Sequence, residues 1–188
     1  MKTKTVLFCV IAVAVAMSVM GSDCINSPFV VAVNLDAVDG CFDVNPGDGT
    51  WNDQTDPIVI QDLIDENFQD DITGYRLYDI RVRVSDNYPD GQVTGDHVSY
   101  SFDSGPFTEV ITSFQGQGSQ FRGQGVSLLD PQGLITYDQA ALNAFVSALN
   151  DPSTTPQTII LSSSGTGPAS PGIQICVAVY IQADAEVN

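Results

Sequence analysis

Positive charge is scarce in this sequence. Six lysines and arginines stand against 23 aspartates and glutamates, and His97 is the single histidine. No lysine follows Lys4, so beyond the N-terminal segment four arginines face all 23 acids. The net charge there is near −19, against −17 for the whole chain. A surface with so few cations cannot neutralise phosphates, which excludes nucleic acid as a partner. Electrostatic docking on anionic lipid is excluded for the same reason. There is no CxxC pair and no Cys/His cluster, so a structural zinc site is excluded as well. The chain has no GxSxG nucleophile elbow, and its glycine-rich run at Gly116–Gly125 lacks the lysine of a phosphate loop.

What the chain does have is apolar content of a globular kind: 43% hydrophobic residues with 15% charged over 188 positions. That suits one domain with a real core and argues against a disordered chain. The first 21 residues read as a signal peptide. Lys2 and Lys4 form a positive start, Val6–Val15 an apolar core, and Ala16, Ser18 and Gly21 small residues near a cleavage point. Cleavage fits at 18/19 or 21/22, or just before Cys24 if that cysteine takes a lipid. Gly21-Ser22-Asp23 departs from a lipidation box, Asp23 most of all. Residues 22–188 then make a single domain. No later apolar stretch reaches the roughly 18 residues of a spanning helix.

With Cys9 removed in the signal, Cys24, Cys41 and Cys176 remain, an odd number for an exported chain. If Cys24 carries lipid, Cys41 and Cys176 can pair and tie the first strands to the last. A short Cys24–Cys41 bridge is equally legal, and Cys176 as a buried thiol is the third alternative.

The patterning is that of strands between turn clusters. Phe29–Val33 and Val38–Val44 are strand candidates, followed by turns at Asp43–Thr50 and Asn52–Pro57. Ile58–Ile60 continues as strand, and Gln61–Phe68 reads as a helical turn or a strand end. In Tyr75–Ser85, Tyr78, Ile80, Val82 and Val84 alternate with Asp79, Arg81 and Arg83, the period of a half-buried antiparallel strand. Val98–Phe102 and Phe107–Phe114 follow. The repeated Phe-x-Gly-Gln-Gly-like units at Phe114–Gly118 and Phe121–Gly125 read as a glycine-rich hairpin or bulged pair. One helix is predicted near 137–149, with Thr136 and Gln139 as a capping box and Ala141, Leu142, Phe145, Val146 and Leu149 on one face. Thr158–Ser162 is a strand, Ser163–Gly172 a loop, and Ile173–Gln182 a long strand with no strongly polar face, which predicts a central position. The whole predicts an all-β antiparallel, immunoglobulin-like sandwich of about seven to nine strands, with an up-and-down barrel as the alternative.

In layout, Cys24 ahead of Pro28-Phe29-Val30-Val31, the alternating Tyr78–Val84 strand, the late helix and the final Val/Ile strand resemble uncharacterised bacterial extracytoplasmic β-sandwich proteins, often lipoproteins. The resemblance implies a compact periplasmic or surface domain and brings no catalytic residues with it.

Candidate sites follow from residue type. Asp43, Asn45 and Asp48 crowd one glycine-containing loop, with Asp53 and Asp56 nearby, and Asp86, Asn87 and Asp90 repeat the theme. Clustered oxygens are what a hard cation wants, so calcium is the one cofactor brought forward, although neither loop has the EF-hand pattern. The same residues make turns for their own sake. Trp51, in the Asp-rich loop, with Tyr88, Phe121 and Tyr137, offers an aromatic sugar platform if exposed. His97 beside Asp96 reads as an exposed loop or edge residue. The expectation is therefore a non-enzymatic structural or adhesive protein, exported to the periplasm, outer membrane or exterior, with a carbohydrate or protein partner at the cell surface. The alternative is a calcium- or carbohydrate-binding module, and a hydrolase using an aspartate pair stands further off.

Overall fold

The computed structural model describes residues 29–64 and 71–187. The signal segment, Cys24 and its lipidation lie outside the described residues. Among the described residues eleven strands form two antiparallel sheets. The first sheet contains β1 (Phe29–Asn34), β2 (Val38–Asp43), β5 (Ile72–Val84), β8 (Val126–Ser127) and β11 (Gln174–Val187). The second contains β3 (Thr50–Gln54), β4 (Ile58–Val59), β6 (Gln92–Phe102), β7 (Thr108–Gln117), β9 (Ile135–Tyr137) and β10 (Thr158–Thr166). The count exceeds seven to nine because β4, β8 and β9 are edge strands of two or three residues.

The antiparallel sandwich is the one the sequence predicts. Its connectivity follows from the pairings read from the chain ends inward: β2 with β11, β3 with β10, β5 with β8, β6 with β7. These four nested pairs form one long ribbon. Rolling the ribbon adds the contacts β11 with β5 and β10 with β6. That is the order of a jelly roll, in place of the immunoglobulin-like order. β1 and β2 share one edge of β11, and β5 takes the other, so β11 is central as its two apolar faces predict. Ile175, Val177, Val179, Ile181, Ala183 and Ala185 are buried on the core side.

Trp51, on β3, belongs to this core. It is 3% exposed and stacks on Phe114 with ring centroids 6.2 Å apart. Both rings lie on glycine: a Cβ at Gly165 would come within 2.4 Å of the Trp51 ring, and one at Gly95 within 1.9 Å of Phe114. Only a residue without a side chain lets the rings sit flat on the second sheet at these two positions.

β5 departs from its simple alternation. Asp79 pairs with Tyr180 but Leu77 with Ile181, so Tyr78 is an extra residue, a bulge. The bulge switches the inward set from Ile80, Val82 and Val84 to Tyr75 and Leu77. Tyr78, predicted to face inward with the first three, is 63% exposed.

Among the described residues two helices complete the fold: α1 (Gly118–Phe121) and α2 (Gln139–Leu149). α1 is a single turn closing the glycine-rich segment, where the sequence predicts a hairpin or bulged pair. α2 begins later than the capping box predicts, because Thr136 is in β9 and Asp138 is the cap. Its carboxylate accepts from Ala140 N at 2.7 Å and Ala141 N at 3.2 Å, which satisfies two donors a helix start leaves open. Buried Leu142, Phe145 and Leu149 hold the helix to the core, with Phe145 edge-on to Tyr100 at 4.9 Å. A 3-10 turn covers Gln61–Leu63.

Candidate functional site

The Asp-rich loop is built as a turn. Asn45 Oδ1 accepts from Gly47 N at 2.8 Å, and Asp48 Oδ1 accepts from the Thr50 N–H at 3.0 Å and the Thr50 hydroxyl at 2.7 Å. The Thr50 backbone bond, then its hydroxyl, hold the Asp48 carboxyl below its ordinary value. Asp53 accepts from Gln54 N at 2.8 Å, and Asp43 leaves the loop to accept from Gln174 Nε2 at 3.0 Å. The proposed calcium ligands are thus each engaged with nearby donors. Among the described residues, no three His, Cys, Asp or Glu side chains gather in a group that could hold a metal.

The aromatic platform is corrected outright. Trp51, Tyr88 and Phe121 are 3%, 1% and 0% exposed, and Trp51 Nε1 donates to Ser163 Oγ at 3.1 Å. A buried indole needs such a partner, and it has nothing left to offer a sugar. Tyr137 is half-buried beside α2. The residue types were aromatic and near a loop, but the fold uses three of them as core.

His97 is neither on a loop nor at an edge. It lies on β6, between β10 and β7, opposite Ser164. Ser163–Thr166, predicted as loop, continues strand β10 and places Ser164 Oγ 3.0 Å from His97 Nδ1. Among the described residues no carboxylate bonds the imidazole, and the pair is a cross-strand hydrogen bond.

Cys41 and Cys176 form a disulfide, as one of the three cysteine alternatives proposed. They are direct partners in the β2–β11 register. Val44 N donates to Ile173 O, which makes residues 44 and 173 a hydrogen-bonded pair. By alternation 41 and 176 are a non-hydrogen-bonded pair, the close kind where side chains on one face can bridge. The bond lies on the outer face, with Cys41 exposed.

That outer face also holds the arginines. Arg81 pairs with Asp79 at 2.8 Å, and Ser127 Oγ donates to the other oxygen of Asp79 at 2.7 Å. Arg83 reaches Asp39 at 3.2 Å, Arg76 pairs with Asp184, and Arg81 lies 5.7 Å above the Tyr180 ring. Arg122, at the end of the sandwich, pairs with Asp90 at 3.0 Å. All four arginines beyond the N-terminal segment therefore meet an aspartate on the protein itself. The acids left over set the sign of the surface.

An open groove of about 250 Å³ lies between β5, the segment after β8, and α2. Leu77, Ile80, Leu128, Leu142 and Val146 supply apolar lining, Gln139 and Asn143 polar atoms, and Tyr78 and Leu129 its rim. Tyr78 and Leu129 are 63% and 75% exposed, two of the six large apolar side chains exposed among the described residues. Sequence reasoning missed this site. Leu128-Leu129 was visible as an apolar pair before a turn, but Tyr78 reaches the rim only because of the bulge.

No family model matches the chain, and no curated protein is similar to it. Among solved structures the chain is similar to one described as Desmodium yellow mottle tymovirus. Identity is 10%, the match covers 87% of this chain and 91% of that one, and the TM-score is 0.38.

Proposed function

We propose that this chain is an exported, non-enzymatic β-sandwich protein with a structural or adhesive role in the periplasm or at the cell surface. The observation that carries the reading is the Cys41–Cys176 disulfide, a bond that forms and persists in oxidising compartments. The signal-like N-terminus supports the same destination, and attachment through Cys24 is the proposed anchor. An adhesive or structural task is supported by how the side chains are used. His97, Trp51 and the loop aspartates are tied into hydrogen bonds that hold strands and turns. The surface available to a partner is acidic, with an apolar groove in it.

The test is to express the full chain in a bacterium, fractionate the cells, and alkylate free thiols before and after reduction. Expected is an exported form whose Cys41 and Cys176 react only after reduction. A cytoplasmic protein with both thiols free would overturn the reading. Fatty-acid labelling lost in Cys24→Ser identifies the anchor, and a labelled Cys24→Ser variant rejects it.

A further inference from the structure

The groove beside β5 has a floor of a particular kind. β5 is paired with β11 from Ile72 to Val84, but its other edge is covered only in pieces. β8 pairs at Arg81 and Val82, and Leu128 N donates to Ile80 O at 3.0 Å. Further along, the Asn150 side chain imitates a strand. Its Oδ1 accepts from Tyr75 N at 2.8 Å and its Nδ2 donates to Tyr75 O at 2.9 Å. Backbone direction alternates along a strand, so Leu77, two residues from Tyr75, turns its N–H and C=O to the same edge. On the opposite side, Leu35 N takes the carbonyl of Ile181, the register partner of Leu77, which turns Ile181 toward β1. Among the described residues, the edge is thus closed at Tyr75, closed again from Ile80, and open at Leu77 in the groove between them.

From this geometry we infer that the groove is a docking site for an extended peptide segment of a partner protein, which adds a short strand at Leu77 and sets one large apolar side chain against Leu142 and Val146. An open edge position with an apolar wall is the arrangement by which a sheet accepts a strand from another chain. The groove's roughly 250 Å³ falls below the usual range of a small-molecule pocket, about 300–1,000 Å³, and suits a side chain carried on a backbone. Tyr78 and Leu129 both line the groove and are exposed, so they offer apolar surface to the incoming segment. The flanking residues of the partner are basic. This protein's arginines are all paired, and its excess acids repel an acidic segment and attract a cationic one.

The experiment uses a displayed random heptapeptide library selected on the full chain and counter-selected on a Tyr78→Ser/Leu129→Ser double variant. Both side chains are exposed, so the variant keeps its core. Expected are enriched peptides that alternate a large apolar residue with lysine or arginine. Their binding to the double variant is weaker by about tenfold or more. Added to labelled protein, an enriched peptide shifts the Leu77 amide resonance, and N-methylation of its central residue abolishes binding. The inference is overturned if the two proteins enrich the same peptides, if N-methylated peptide binds equally, or if acidic peptides are enriched. It is overturned too if the chain forms a dimer that the double variant loses, because the edge is then taken by a second copy. If the double variant fails to fold, the Leu77 resonance and the N-methyl peptide still decide.

Discussion

The outer faces of the two sheets solve the same problem with different chemistry. On the first sheet, Asp79, Arg81, Arg83, Asp39, Arg76 and Asp184 form ion pairs beside a disulfide. On the second, hydroxyls do the work. Ser164 meets His97, Ser162 donates to Asp53 O at 3.1 Å, and Ser101 donates to Gly105 O at 2.8 Å. A chain with four arginines outside its N-terminal segment has concentrated three of them where the long strands β5 and β11 lie side by side. The other sheet's outer face is tied by hydroxyl bonds, and none of the four ion pairs among the described residues lies on it. The first face is therefore expected to be responsive to redox and ionic conditions, and the second indifferent to both.

The largest break in that comparison comes from the disulfide. It joins residues 135 apart in sequence, and the Cys41→Ser/Cys176→Ser variant is expected to lose about 2–5 kcal/mol of unfolding free energy. Denaturation of wild type in reductant should reach the same midpoint as the variant; an unchanged midpoint means the staple does not hold the ribbon. Next is Asp79→Ala. Asp79 is 8% exposed, and the substitution leaves both Arg81 and Ser127 without their acceptor. The Arg81 side chain is about a third open to water, so the cost is expected near 2 kcal/mol and not at the extreme for a fully buried pair. A double-mutant cycle with Arg81→Ala measures the coupling, and a value near zero would dissolve the contrast.

On the second sheet, Ser164→Ala is expected to cost about 1 kcal/mol or less, equally in low and high salt. A salt-dependent loss would break the contrast between the two faces. Wild type itself should melt at a higher temperature as salt screens its net charge of −17. Equal melting points at low and high ionic strength would refute that.

The smallest effect is expected where the sheets meet, at Tyr88. Its hydroxyl is buried with no hydrogen-bond partner among the described residues, and burial pushes the phenol up to about 12 from 10.0. A folded-state value above the unfolded one gives a contribution present in full below pH 10 and lost as pH rises toward 12. Tyr88→Phe should change neutral-pH stability little, because it removes an unsatisfied group, and should flatten the alkaline limb of the stability curve. An alkaline limb that stays the same would assign the loss to other groups.

The class of fold was legible because period-2 alternation and turn residues are local properties. Phe29–Val33, Val38–Val44 and the last strand lie where the patterning predicts them. The nested order was not legible. It depends on pairings such as β2 with β11, set by which buried faces meet in three dimensions and not by any neighbouring residues. Tyr78 shows how one bulge defeats alternation, since a single extra residue moves a side chain from core to surface. Trp51 shows the converse. Its polar neighbours predict exposure, and the glycine that makes room for it, Gly165, is far away in sequence. For the Asp-rich loop, turn chemistry and cation chemistry use the same residues, so composition alone left both open. The Cys41–Cys176 pairing was one of three alternatives, and register selects it.

The ribbon's outer end has a mechanical consequence. Phe29 is the register partner of Val187, so the two ends of the described chain leave the domain side by side. Tension between an anchor before residue 29 and a load beyond residue 187 would peel β1 from β11 one hydrogen-bonded rung at a time. The peeling would stop at the covalent Cys41–Cys176 link, and everything between those cysteines would bear no load. In reducing surroundings that stop is gone, and the same pull would run on into the sandwich.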